Sequence, residues 1–242
     1  MVPSWSGPPP EAVEGGRTVG YPLLVKAAAG GGGKGMRLVN QESELPQAIE
    51  RAQGEARKAF GDDSFFLEKF IKNPRHIEVQ IFGDKHGNAL CFGERECSLQ
   101  RRYQKIIEEA PSLAVSPELR AKLVEAGVNA VKALNYTGAG TVEFILDSSD
   151  NFYFLEVNTR LQVEHPVTEL VYGVDLVALQ VSVAQGEPLA LEQSFLKPRG
   201  WAIEARIYAE DPDNGFMPSV GSLDVFHPPT GHTLRLDTGF RQ

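Results

Sequence analysis

From Glu156 to Glu164, polar residues occupy every second position (Glu156, Asn158, Arg160, Gln162 and Glu164), with Val157, Thr159, Leu161 and Val163 between them. An extended backbone turns alternate side chains to one side. The pattern therefore predicts an edge carrying two carboxylates, two amides and a guanidinium. A half-exposed strand whose polar face simply meets water is the plain alternative.

The preceding residues sharpen the choice. Residues 140–147 and 152–158 are β-rich runs separated by Ser148-Ser149-Asp150-Asn151, a cluster of hairpin-turn type and length. If Asp147 closes the ladder opposite Phe152, then Ile145 faces Phe154 and Glu143 faces Glu156. Directly opposed side chains lie about 5 Å apart at Cβ, and like charges there destabilise the sheet unless a cation sits between them. Asn158, one step along the same face, adds an amide oxygen of the kind hard divalent ions accept. Glu143, Glu156 and Asn158 thus predict a Mg²⁺ or Mn²⁺ site. A register slip of one residue would make the pairing an accident.

Elsewhere the pattern predicts short strands over 22–28 and 36–39 and an amphipathic helix over 43–60, with Leu45, Ala48, Ile49, Ala52, Ala56 and Ala59 on one stripe. A strand over 65–71 and a hairpin of 76–82 with 88–96 follow. Ser116-Pro117-Glu118 opens a helix that runs to about residue 134. Asp175 caps another, over 175–185, with Gly186 as its left-handed stop. Strands are expected at 202–208, with Glu204 and Arg206 on one face, and at 233–237. Residues 1–19, rich in Gly and Pro, read as an irregular lead-in. Frequent hairpins without a strict strand–helix–strand rhythm predict an α+β fold with antiparallel sheets.

The run Gly30-Gly31-Gly32-Gly33-Lys34-Gly35 fails two phosphate-loop patterns. A strand, not a helix, follows it, and Lys34 is followed by Gly35 where Ser or Thr is required. What remains is a strand–loop–strand flap whose backbone N–H groups could close over a polyphosphate, with Lys34 and Lys26 supplying charge.

A chain of 242 residues with 42% hydrophobic content suffices for a full core. Its 24 Lys and Arg against 32 Asp and Glu, net −8, argue against nucleic acid as a partner. The most apolar stretch, 170–184, is broken by Asp175 and too short to span a bilayer, so no membrane association is expected. Two cysteines, Cys91 and Cys97, without zinc-ligand spacing and with no secretory segment at the start, point to a reducing compartment, cytoplasm or mitochondrial matrix.

Taken together, Gly20-Tyr21-Pro22, Val25-Lys26-Ala27, the flap, Glu68-Lys69-Phe70, Pro74 to Glu78, Glu94 to Ser98, Gln104-Lys105, Gly140 to Phe144 and Glu156 to Pro166 resemble the biotin carboxylase component of biotin-dependent carboxylases, built on the ATP-grasp fold. The wording is most similar to the α subunits of propionyl- and methylcrotonyl-CoA carboxylases. The resemblance implies a lid subdomain over 20–71 with the glycine flap and a larger antiparallel-sheet subdomain over 72–242. It also implies a strand–helix domain before the first residue and a continuation beyond the last.

The implied reaction uses ATP to phosphorylate bicarbonate to carboxyphosphate and then carboxylates biotin. Lys26 and Lys69 would hold phosphates, Gly31, Gly32, Gly33 and Lys34 would cover them, and Glu68 and Ile71 would meet the adenine. His76 and Gln100 would contact the nucleotide. Glu143, Glu156 and Asn158 would bind two divalent ions. Lys105, Arg160, Gln162 and Val163 would surround bicarbonate, Glu164 would be its base, and Arg206 would stabilise the biotin enolate. Implied partners are biotin on a carrier domain, a carboxyltransferase component and a second copy in a homodimer. Tyr103 departs from the family, which often has histidine there, and so does Pro8-Pro9-Pro10, where a helix is expected. A non-catalytic nucleotide-binding module, or another ATP-grasp ligase such as one making carbamoyl phosphate, stays open beside this reading.

Overall fold

The computed structural model describes residues 2–29, 36–102 and 104–239. The glycine flap, with Gly31, Gly32, Gly33 and Lys34, and Tyr103 lie outside the described residues. The chain divides into two units, Met1–Ala205 and Arg206–Gln242.

In the first unit, β1 (Ser4–Ser6), β2 (Leu23–Ala27), β3 (Met36–Val39) and β4 (Phe65–Lys69) form an antiparallel sheet in the order β1-β4-β2-β3. Helices α1 (Ala12–Val19) and α2 (Leu45–Phe60) bury Ala12, Val19, Leu45, Ile49 and Ala52 against Leu23, Val25, Val39 and Leu67. Residues 4–19 are therefore not an irregular lead-in. Pro9 sits in a single 3-10 turn that feeds α1, where its missing N–H costs nothing, and Trp5 packs on the same core. Helix α2 starts two residues later than its pattern predicts, after a 3-10 turn at Glu42–Glu44, and stops at Gly61 in the left-handed region.

The larger sheet joins β5 (Arg75–Gly83), β6 (Ala89–Arg101), β7 (Gln104–Ala110), β8 (Gly138–Leu146), β9 (Phe152–Asn158) and β10 (Ala202–Ala205) in the antiparallel order β10-β7-β6-β5-β8-β9. Helix α3 (Pro117–Leu134), capped by Ser116 Oγ accepting from the Leu119 N–H at 3.1 Å, packs on one face over Ile77, Val79, Ile81, Cys91, Val142 and Phe144. It comes so close that a Cβ at Gly127 would lie 3.1 Å from side-chain atoms of Cys91, Ile81 and Val79.

The other face follows from the ladder. Paired residues project to the same side, and Glu78 pairs with Arg95 and Glu143, Gln80 with Thr141, Thr141 with Asn158, and Glu143 with Glu156. That face is polar yet closed over, with Glu78, Gln80, Arg95 and Thr141 all 0% exposed. Helix α4 (His165–Tyr172) contributes Thr168 to it, and α5 (Leu176–Ala184) follows.

The opposition of Glu143 and Glu156 has a different origin from the one the turn suggests. At the hairpin end Leu146, not Asp147, faces Phe152, and Phe144 faces Phe154, so an unbroken ladder would bring Leu155 opposite Glu143. A β-bulge in β9 accommodates Leu155 as an extra residue and restores the acid pair.

Three predicted strands are corrected. Strand β9 ends at Asn158, so the alternation through Glu164 does not continue in extended backbone; the His165 N–H bonds back to Gln162 O at 3.3 Å and α4 begins with Pro166 in its first turn. Strand β10 ends at Ala205, short of Arg206. Residues 233–237 form no strand. The second unit instead pairs β11 (Glu210–Asp211) with β12 (Met217–Pro218). No single helix among the described residues is long and apolar enough to cross a membrane.

Candidate active site

The polar face of the larger sheet converges on Lys105. Its Nζ donates to Glu143 Oε1 at 2.8 Å, to Glu164 Oε1 at 2.9 Å and to Glu78 Oε2. Three strands and the turn before α4 thereby meet at one ammonium. Glu143 Oε1 also accepts from Asn158 Nδ2 at 2.9 Å and Gln162 Nε2 at 3.0 Å, while Glu143 Oε2 lies 2.8 Å from His76 Nε2. Gln100 Nε2 donates to His76 Nδ1 at 3.1 Å, which turns the other ring nitrogen toward Glu143.

Beneath this layer lies Arg95, with Nε 2.5 Å from Glu78 Oε1. Its Nη1 reaches Gln80 Oε1 at 2.7 Å and Thr168 Oγ1 at 2.9 Å, and its Nη2 reaches Thr141 Oγ1 and Gln162 Oε1, both at 3.2 Å. All five guanidinium N–H groups are thus used.

Burial works against the charges of Glu143, Glu164 and Lys105, and each of the three keeps its charge through its partners. Burial disfavours the Glu143 carboxylate, yet the close His76 ring and the Lys105 ammonium outweigh it and hold its carboxyl well below the usual range. Glu164 behaves likewise, its burial offset by the Lys105 charge. Burial would lower Lys105, but Glu78 and Glu164 keep it well above an ordinary lysine. Burial pushes the Cys97 thiol far up, so the sulfur beside Glu78 and Glu164 is a neutral neighbour. Glu78, Glu143, Glu164 and Glu156 amount to four carboxylates against two fixed cations, Lys105 and Arg95. The site carries surplus negative charge.

A divalent cation fits that surplus. Ligand atoms of His76, Glu78 and Glu143 lie within 4.8 Å of one another, Glu156 opposes Glu143, and the Asn158 amide reaches both acids, at 2.9 and 3.4 Å.

Of the residues singled out from sequence, Lys105, Gln162, Glu164, His76, Gln100, Glu143, Glu156 and Asn158 come together here. Gln162 and Glu164 do so from a turn, not from the strand anticipated for them. Arg160 and Val163 stand exposed beside them, Arg160 Nη1 donating to Leu161 O at 3.3 Å.

The smaller sheet carries a second group. Lys26 Nζ lies 2.5 Å from Glu68 Oε1, so Glu68 has a charged partner. Lys69 Nζ donates to the Gly20 and Tyr21 carbonyls at 3.1 and 2.9 Å, and Ile71 is half-buried in the segment after β4. Arg206 is half-buried at the start of the second unit.

Glu78, Gln80 and Arg95 were missed as functional candidates. For the two on β5 the signal was present: Glu78 and Gln80 alternate with Ile77, Val79 and Ile81 in a strand buried on both faces, a setting in which a charged residue needs a partner.

Residues 2–192 match the family described as "Carbamoyl-phosphate synthase L chain, ATP binding domain", and residues 204–242 match "Biotin carboxylase C-terminal domain". The chain is 57% identical over 225 residues to the mitochondrial methylcrotonoyl-CoA carboxylase subunit alpha of Rattus norvegicus, covering 93% of this chain and 32% of that protein. It is 54% identical over 228 residues to the biotin carboxylase of Nostoc sp., covering 94% of this chain and 51% of that one. Among solved structures, the biotin carboxylase domain of Hydrogenobacter thermophilus 2-oxoglutarate carboxylase, in complex with MgADP, ADP and bicarbonate, superposes with a TM-score of 0.82 at 48% identity, covering 96% of this chain and 52% of that one. The chain thus spans about a third to a half of the curated relatives it matches. With its antiparallel sheets and its ATP-binding and C-terminal regions in that order, the chain belongs to the biotin carboxylase family of ATP-grasp ligases.

Proposed function

We propose that the chain carries the ATP- and bicarbonate-dependent carboxylation of biotin. The observation that supports this best is the single ammonium of Lys105 shared by Glu78, Glu143 and Glu164. It joins the acids suited to hold a metal to an acid suited to take a proton.

In this reading Glu143, Glu156 and Asn158 hold Mg²⁺ or Mn²⁺, two ions in all, which would neutralise the phosphates of ATP during transfer. Lys26 and Lys69 meet phosphate oxygens, turning from Glu68 and from the Gly20 and Tyr21 carbonyls, and Gly31, Gly32, Gly33 and Lys34 are assigned to the same phosphates. Glu68, Ile71, His76 and Gln100 contact the rest of the nucleotide. Lys105, Arg160, Gln162 and Val163 surround bicarbonate. A planar guanidinium such as Arg160, exposed on the turn, is suited to bidentate capture of that anion.

Glu164 takes the bicarbonate proton. Its carboxylate is ionised because Lys105 holds it so. When the ammonium turns to the incoming anion, that hold slackens and Glu164 becomes the stronger base. Arg206 stabilises the oxyanion of deprotonated biotin. Biotin on a carrier domain, a carboxyltransferase component and a homodimeric partner belong to the same proposal.

The test is ADP release by this chain. Release that requires bicarbonate, rises with free biotin and disappears in Glu164→Gln supports the proposal. Bicarbonate dependence with indifference to biotin would favour another ATP-grasp ligase. A slow release unaffected by either compound would exclude the reaction for this chain.

A further inference from the structure

We propose that Arg95 is a positioning residue for this reaction: its guanidinium fixes the orientation of the Gln162 amide and the place of Glu78, and through them the direction in which Lys105 points. The inference rests on the functional reading above for its kinetic consequence, though not for its geometry.

Arginine can only donate hydrogen bonds. Because Arg95 Nη2 meets Gln162 at 3.2 Å, the atom it meets is the amide oxygen, and the Gln162 Nε2 is turned toward Glu143 Oε1 at 3.0 Å. A flipped amide would set its oxygen against that carboxylate, and the two acceptors would repel. Arg95 removes this choice.

Glu78 is divided in the same way. Its Oε1 takes Arg95 Nε at 2.5 Å and its Oε2 takes Lys105 Nζ, so one side of the carboxylate is committed to the buried arginine and only the other steers the lysine. The remaining N–H groups go to Gln80, Thr168 and Thr141, which belong to β5, α4 and β8. The fork is therefore clamped from three elements and cannot follow substrate. At 0% exposure Arg95 cannot touch bicarbonate or nucleotide from solvent, which separates it from Arg160 on the exposed turn. Lysine in its place keeps the charge but offers three donors in place of five and no planar fork.

Arg120 provides the contrast. It pairs with Glu94 at 2.7 Å from helix α3, on the opposite face of the sheet.

Two measurements test the proposal on the same proteins. The first is solvent exchange of the Gln162 side-chain amide protons by ¹⁵N NMR, the resonance assigned through Gln162→Leu. Protection is expected in the wild type and in Arg120→Met, and its loss in Arg95→Met. The second is steady-state ADP formation. Arg95→Lys and Arg95→Met are expected to lower the bicarbonate-dependent kcat about 10–100-fold with KM for ATP unchanged, whereas Arg120→Met lowers thermal stability and leaves both constants alone. Arg95→Lys serves for both readouts if the methionine variant does not fold. Unchanged amide protection in the Arg95 variants, or kinetic constants of Arg95→Lys equal to wild type, would overturn the proposal. If the wild type shows no bicarbonate-dependent release, the functional reading fails, and amide exchange alone still decides whether Arg95 holds Gln162.

Discussion

Asp84 and Glu143 are both buried acids on neighbouring strands or their ends, and their surroundings differ in kind. Asp84 accepts from the backbone N–H groups of His86, Asn88 and Leu189 at 2.8, 2.9 and 2.8 Å and from Asn88 Nδ2 at 2.7 Å, which ties the β5–β6 turn to the segment after α5. Glu143 is held by Lys105, Asn158, Gln162 and His76, all through side chains. Backbone donors are fixed by the fold and neutral. Side-chain donors can rotate away, and here one of them is the Lys105 ammonium, which has Glu78 and Glu164 as other partners. A carboxylate of the first sort shapes a turn; one of the second sort can exchange its partners during a reaction.

The contrast breaks most sharply in Glu143→Gln. Bicarbonate-dependent ADP release should fall about 100-fold, while the urea midpoint moves less than in any Asp84 variant, because Lys105 retains Glu78 and Glu164. A large loss of stability without loss of turnover would place Glu143 with Asp84.

Asp84→Asn should do the reverse, costing about 2–4 kcal/mol in urea unfolding, with turnover per folded molecule unchanged. Its pH dependence follows in sign. Burial disfavours the Asp84 carboxylate, but the Leu189 and Asn88 hydrogen bonds prevail and lower it from 3.8 to about 2. A depressed pKa contributes stability that is fully present above the unfolded value and is lost as pH falls through the folded one. Wild-type stability should therefore drop between about pH 4 and pH 2, and that part of the drop should be missing in Asp84→Asn.

The smallest effect is expected from Gly127→Ala, on the face of the sheet that carries no chemistry. The added methyl meets Cys91, Ile81 and Val79 at 3.1 Å, so overpacking outweighs the gain in helix propensity and stability falls by about 1 kcal/mol. Turnover of the folded enzyme should not change.

Much of this was legible in the residues. Ser116 and Asp175 announced their helices because a cap is a local interaction, and the apolar stripe of α2 reported its buried face directly. The acid pair at Glu143 and Glu156 was also visible, although the register that predicts it at the turn is off by one and the bulge corrects it. Bulges leave no local mark in composition. The turn at 159–164 was hidden for another reason: its alternation mimics a strand, and only the bond from His165 back to Gln162, with Pro166 behind it, ends the extended backbone. Residues 4–19 were obscured by glycine and proline, which read as breakers of regular structure, whereas pairing of β1 with β4 and packing of Ala12 and Val19 on the core hold them in place. Arg95 could not be found from its neighbours in sequence, since its five partners come from residues 78, 80, 141, 162 and 168.

The bulge at Leu155 means that β9 holds one residue more than its ladder requires. Deleting Leu155 should let the hairpin zip into regular pairing with Glu156 still across from Glu143, since Phe144 and Phe154 are already matched. Inserting a residue between Phe154 and Glu156 would demand a second irregularity or turn Glu156 and Asn158 to the wrong side. This hairpin thus has slack in one direction only: it can be shortened within the strand, but not lengthened, without dismantling the acid pair.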